Sequence, residues 1–204
     1  MPYTTEQEKF WAGDFGTEYA GRNRSEALQG SCTAFWSRVL SRTRGVSSAL
    51  ELGANIGLNL RALRALLPQA ELAGGEINPS AAAELRAWGG AEVFEQSLLD
   101  FAPPRTWDLA FTKGVLIHLN PDRLNDAYDV LHRTGARYLV VAEYYNPTPM
   151  TVPYRGNADR LFKRDFAGEL MDRFPALKLV DYGFLWKRDP VFPQDDITWF
   201  LLEK

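Results

Sequence analysis

The sequence predicts an α/β fold with a mostly parallel sheet of seven strands, the last running antiparallel. Three observations carry this. Ala49-Leu50-Glu51-Leu52 is an apolar run that closes on Gly53 and passes Asn55 and Gly57 into a helical pattern. Leu72-Ala73-Gly74-Gly75-Glu76 then repeats the form, a short strand ending in an acid. Near the other end, residues 177–186 and 197–203 are both strand-like, and the stretch between them is too short for a crossover helix, so they pair antiparallel.

The remaining elements follow in order. Residues 1–45 precede the first strand and form an N-terminal helical lid or cap. They include Phe10-Trp11-Ala12-Gly13-Asp14-Phe15-Gly16-Thr17-Glu18-Tyr19 and Arg22-Asn23-Arg24. A helix is predicted over 25–42, where Leu28, Phe35, Trp36, Val39 and Leu40 share one apolar stripe. The next helix covers 58–67 and is stopped by Pro68; another covers 79–88, with Pro79 in its first turn. Strands follow at 92–96, 107–112 and 137–143, with a helix at 121–134 between the last two. Residues 150–166 form a long connection, and a helix over 164–174 ends at Pro175. At 204 residues the chain holds one α/β domain with a full core and is too short for two, so 1–204 is read as a single domain.

Composition excludes several classes. A net charge of −3 disfavours a broad nucleic-acid surface, so no nucleic-acid partner is expected. The single Cys32 cannot form an internal disulfide, and no Cys/His cluster has metal-ligand spacing, so no metal is expected. No apolar run approaches 18 residues and no signal peptide is visible, which predicts a cytoplasmic protein without membrane association.

The chemistry sits on the first strand's loop. Gly53 and Gly57 let the backbone turn sharply and approach a ligand. Asn55 is among the few non-glycine residues that tolerate positive φ. The helix beginning near Gly57 aims free N–H groups at whatever lies over the loop. Glycines after a strand also serve simply to turn a chain, and a second feature tips the balance. Glu76 lies nineteen residues beyond Gly57, near the roughly 20-residue spacing at which nucleoside sites place a carboxylate for the ribose hydroxyls.

Glu51-x-Gly53-x-Asn55-x-Gly57 resembles motif I of the class I S-adenosylmethionine (SAM)-dependent methyltransferases, with Asn55 replacing the middle glycine. The resemblance implies a Rossmann-like sheet and SAM as cofactor. It implies that the loop backs the methionine part while Glu51 faces the amino or sulfonium side, and that Ser97 and Leu98 lie against the adenine. Asn59, Ile77, Lys113, Trp11 and Arg22 complete the expected cofactor set. Lys113-Gly114-Val115-Leu116-Ile117-His118-Leu119 resembles the motif IV region. Over nearly the whole chain there is a closer resemblance, to the pseudaminic acid biosynthesis-associated methylases. It is carried by Tyr144-Tyr145-Asn146-Pro147-Thr148-Pro149, Tyr154-Arg155-Gly156, Leu161-Phe162-Lys163-Arg164-Asp165-Phe166-Ala167-Gly168-Glu169 and the final ten residues from Asp195.

The expected reaction is methyl transfer to a small, anionic, sugar-acid or amino-acid-like molecule. His118, Tyr144 and Asp165 are the candidate bases. Tyr145, Asn146, Tyr154, Arg155, Lys163 and Arg164 are the candidate acceptor contacts, their cations suiting a carboxylate or phosphate. Two rivals share the fold: an enzyme that consumes SAM itself by cyclisation or lysis, releasing methylthioadenosine, and a non-catalytic binding subunit.

Overall fold

The computed structural model describes residues 3–22 and 25–204, so Asn23 and Arg24 of the expected lid lie outside the described residues. Two short helices come first, α1 (Glu6–Ala12) and α2 (Asp14–Ala20), followed by α3 (Glu26–Leu40). Thr5 and Glu8 form a reciprocal capping box on α1, and Ser25 Oγ caps α3 through Leu28 N at 3.1 Å. The lid region was expected to carry one helix and carries three.

The alternating unit follows: β1 (Ser48–Leu52), α4 (Leu58–Leu66), β2 (Glu71–Glu76), α5 (Pro79–Trp88), β3 (Glu92–Glu95), β4 (Trp107–Lys113), α6 (Leu124–Thr134) and β5 (Gly135–Glu143). In the long connection after β5 the chain forms a small hairpin, β6 (Met150–Thr151) with β7 (Phe162–Lys163), which the sequence reading missed because each arm is only two residues long. Then come α7 (Phe166–Arg173), β8 (Lys178–Leu185) and β9 (Ile197–Glu203). The helix expected from 164 begins two residues later because Asp165 is its N-cap.

The main sheet has the order β3-β2-β1-β4-β5-β9-β8. All neighbouring pairs from β3 through β5 are parallel, and β9 runs antiparallel to both β5 and β8, as the short 186–196 connection required. Helices bury both faces, which is why the inner strands are apolar nearly throughout. Cys32, Phe35, Trp36, Leu60, Leu63 and Leu85 cover one face. Leu116, Leu124, Tyr128, Leu131, Phe166 and Leu170 cover the other. The outermost strand is less well covered: Leu179, Tyr182 and Phe184, opposite Leu202, Phe200 and Thr198, share one face of β8 across a bulge at Val180 and stand exposed, Tyr182 by 61%. No helix among the described residues is long and apolar enough to cross a membrane.

Strand order reverses direction at β1, with β2 on one side and β4 on the other. The cleft at the carboxyl ends of these strands is where ligands bind in open α/β sheets.

Candidate cofactor and active site

That cleft is a cavity of about 500 Å³. Its floor is the β1–α4 loop. Gly53 and Gly57 have φ of +83° and +84°, and Asn55 has +49°, the left-handed conformation its type allows. Gly53 N and Ala54 N donate to Gly75 O at 2.8 and 2.9 Å, which ties the loop to β2. A Cβ on Gly53 would stand 2.5 Å from Val115 Cγ2. Gly57 is not on the cavity wall. It turns the chain into α4 and lets Leu85 pack against the loop, since a Cβ there would meet Leu85 Cδ1 at 2.4 Å.

Glu51 lines the cavity at the end of a hydrogen-bond chain. Trp36 Nε1 donates to Asn59 Oδ1 at 3.1 Å, and Asn59 Nδ2 donates to Glu51 Oε1 at 2.6 Å, so the Asn59 amide has one orientation. Glu51 Oε2 has no partner, and burial pushes the carboxyl up to about 8. An orphaned carboxylate oxygen at the wall of a cavity fits a cationic N–H donor, the group a methionine moiety offers.

Glu76 is held by the loop it faces. Asn55 N donates to Oε2 at 2.7 Å and Asn78 N to Oε1 at 2.8 Å. Burial raises its pKa against those bonds. Ile77 N also favours the carboxylate, and three donors leave part of its four-lone-pair capacity, so it could accept a ribose hydroxyl while it shapes the loop. Asn59, Asn55, Ile77, Ser97, Leu98 and Lys113 also line the cavity.

Helices α1 and α2 form another wall through Gln7, Trp11, Gly16 and Tyr19. Two polar anchors hold them. Glu8 is 3% exposed; its Oε2 accepts from Thr4 N, Thr5 N and both threonine hydroxyls, while Oε1 accepts from Ser97 Oγ. Burial pushes Glu8 up, but these bonds outweigh it and leave the carboxyl below its ordinary value. Asn78 Nδ2 donates to the carbonyls of Trp11, Ala12 and Gly13 at the turn between the helices. Glu8→Ala is expected to free α1 from the β3–β4 loop at roughly 1.5–3 kcal/mol, the scale of hydrogen bonds to a charged group. Faster amide exchange confined to α1 would show it; unchanged exchange would refute the anchoring role.

Among the candidate bases, His118 is on the cavity wall. Its ring lies 4.5 Å from that of Trp11 and 5.1 Å from that of Tyr154. Burial lowers its pKa to about 4 against the Arg160 backbone contact. The other two candidates are not themselves in the cavity lining. Asp165 Oδ1 accepts from Gly168 N at 2.8 Å and caps α7. Tyr144 lies outside the lining, under Lys163 Nζ at 5.4 Å from its ring centre, and burial and Asp195 push its hydroxyl above the ordinary range.

Most of the expected acceptor contacts are also engaged outside the cavity. Arg164 pairs with Glu169 at 2.6 Å, Asn146 Nδ2 closes its own turn onto Thr148 O, and Tyr145 is exposed beside Phe200. Arg155 has φ of +48° at an exposed turn, next to Tyr154. Arg22, expected on the cofactor, lies 3.9 Å from Glu18 and off the wall. These cations belong to surface turns and helix ends, a use that sequence position alone does not distinguish from ligand binding. Among the described residues no cluster could hold a metal.

Besides Glu8, two contributors were missed. The β8–β9 connection brings Lys187, Gln194 and Asp195 to the cavity; Gln194 Nε2 donates to Ser31 O at 2.9 Å and its Oε1 has no partner. Glu143, the last residue of β5, accepts from the N–H groups of Val115 and Leu116 and so holds the turn that carries His118; burial pushes it up to about 7. An acid closing a third apolar strand was the available signal for Glu143.

No family model and no curated protein matches the chain. Solved structures do resemble it. Magnesium protoporphyrin IX methyltransferase from Synechocystis, with SAM bound, is 10% identical with a TM-score of 0.69 over 100% of both chains. The 1,6-didemethyltoxoflavin-N1-methyltransferase of Burkholderia thailandensis, with its substrate and S-adenosylhomocysteine, is 16% identical with a TM-score of 0.71 over 100% of this chain and 92% of that one. An amino pentose methyltransferase from Micromonospora echinaspora, with SAM bound, is 13% identical with a TM-score of 0.65 over 93% and 95%. The chain has the Rossmann-like fold of the class I SAM-dependent methyltransferases.

Proposed function

We propose that the protein is a SAM-dependent methyltransferase acting on a small molecule. The observation that supports this most directly is the pair of buried carboxylates, Glu51 and Glu76, on either side of the left-handed Gly53–Asn55 turn at one cavity. Glu51 would hold the methionine ammonium, Glu76 the ribose, and Ser97 and Leu98 the adenine. When bound, SAM supplies an electrophilic methyl group on a sulfonium. The chain's contribution is to orient the two ligands, exclude water and take up a proton where the acceptor carries one. The three neighbours named above are methyltransferases of magnesium protoporphyrin IX, 1,6-didemethyltoxoflavin and an amino pentose, which supports a small-molecule acceptor.

The resemblance to the pseudaminic acid biosynthesis-associated methylases favours an acidic sugar as acceptor. Its anion would meet Lys113 and Lys187 at the cavity, since Arg155 and Arg164 face elsewhere. The purified protein incubated with SAM and an extract of sugar acids and amino acids is expected to form S-adenosylhomocysteine together with a product heavier by one methyl group. Mass spectrometry reads both. Methylthioadenosine formed from SAM alone would instead make SAM the substrate, and the methyl-transfer reading would fall.

A further inference from the structure

We infer that His118 is a proton acceptor of fixed tautomer and that the acceptor therefore presents an O–H or N–H group to it, not a carboxylate. The inference rests on the methyltransferase reading of the site and deepens it.

His118 Nδ1 lies 2.6 Å from the carbonyl oxygen of Arg160. A carbonyl can only accept, so Nδ1 carries the hydrogen. In the neutral imidazole the other nitrogen, Nε2, is then left with a lone pair and no proton. No hydrogen-bond donor among the described residues meets it, and His118 is on the cavity wall. A ligand group that satisfies Nε2 must donate. The anionic form of a carboxylate would bring a second lone pair against the first.

The carbonyl that sets the tautomer is itself held. Gln7 Nε2 on α1 donates to Asp159 O at 3.1 Å, one residue away. The Arg160 guanidinium lies 5.2 Å from the centre of the Phe10 ring, also on α1. Val152 N donates to Leu161 O at 2.9 Å and closes the segment at its base. The His118 backbone is held as well: its N donates to Val115 O at 2.9 Å within the turn that Glu143 clamps. The N-terminal helix and the connection after β5 thus meet at the Nδ1 side of the ring. Gln7 and Phe10 are positioning residues acting through Arg160.

The reacting step balances as follows. The acceptor heteroatom forms a bond to the methyl carbon with its own electron pair, the carbon–sulfur bond breaks with its pair going to sulfur, and the heteroatom's proton passes to Nε2. The imidazolium returns to neutral by losing that proton to water.

Two measurements test this. The first needs no acceptor: nitrogen-15 NMR of the histidine-labelled protein, with His132→Gln removing the other histidine signal. The expected spectrum has a protonated Nδ1 and an unprotonated Nε2 at pH 7, unchanged down to about pH 5. A proton on Nε2, or titration near the ordinary 6.5, would overturn the inference. Phe10→Ala should broaden the signal into a tautomer mixture, which a residue that merely fills space would not do.

The second uses SAM with the sugar-acid and amino-acid extract as probe. His118→Asn keeps a donor for the Arg160 carbonyl and removes the base. It is expected to lower kcat by about 100-fold or more with SAM affinity unchanged, and the product should be an ether or an amine. A methyl ester, or full activity in the variant, would overturn the acceptor class. Failure of the parent reading looks different: methylthioadenosine appears without S-adenosylhomocysteine, whatever the tautomer.

Discussion

Glu51→Gln is expected to stabilise the ligand-free protein at pH 8 and to leave it unchanged near pH 4. Burial pushes the Glu51 carboxyl up to about 8, far above its ordinary value of 4.5. Between those values the folded chain holds a proton that the unfolded chain has lost. Stability from this group therefore falls as pH rises from about 4.5 to about 8, then levels off. The full difference is roughly 3–5 kcal/mol at one pKa unit per 1.36 kcal/mol. Glutamine keeps the acceptor for Asn59 and never ionises, so the melting temperatures of variant and parent should diverge with rising pH. Parallel curves would show that the carboxyl is not strained. The same strain should be relieved by a bound cation. SAM binding at pH 7 is thus expected to release a proton, seen in calorimetry as a binding enthalpy that depends on the buffer, and Glu51→Gln should abolish that dependence.

Glu76→Ala is expected to weaken SAM binding by at least roughly 1.5–3 kcal/mol, the range for hydrogen bonds to a charged group. Two effects add. The ribose hydroxyls lose their acceptor, and Asn55 N and Asn78 N lose the carboxylate that fixes the turn. Glu76→Gln separates them. The amide keeps one acceptor for the loop but brings an N–H toward the other backbone donor, so the loop is disturbed less than in alanine and the ribose still loses a charged partner. Methylthioadenosine, which has the ribose but not the amino-acid end, should lose affinity to the same extent as SAM. Unchanged affinity for both ligands in the alanine variant would remove the ribose assignment.

The strands and the turn between β1 and α4 were legible in the sequence because their signals are local. A β strand ending in an acid, a glycine and an asparagine at left-handed positions, and a proline opening α5 each need only a few neighbours to be recognised. The antiparallel β9 was legible from connection length alone. Side-chain destinations at the acceptor end were not. Arg164, Asp165 and Asn146 were expected to contact the acceptor or its proton, yet each closes a local bond: an ion pair to Glu169, a helix cap and a turn. Such bonds compete with ligand binding for the same residue types. Gln194 and Glu8 were overlooked for the opposite reason: their partners, Ser31 and Ser97, are 163 and 89 residues away, and no pattern in the chain connects them.

The exposed row on β8 matters for handling. An edge strand with free backbone groups and aromatic side chains on its open face is a template for adding another strand. Leu179, Tyr182 and Phe184 supply that face with no charge among them. Mutual repulsion between molecules is weakest near the isoelectric point of about 5.5. Concentrated stocks and crystallisation trials therefore belong well above that pH, where the acidic excess keeps the open edges of separate molecules apart.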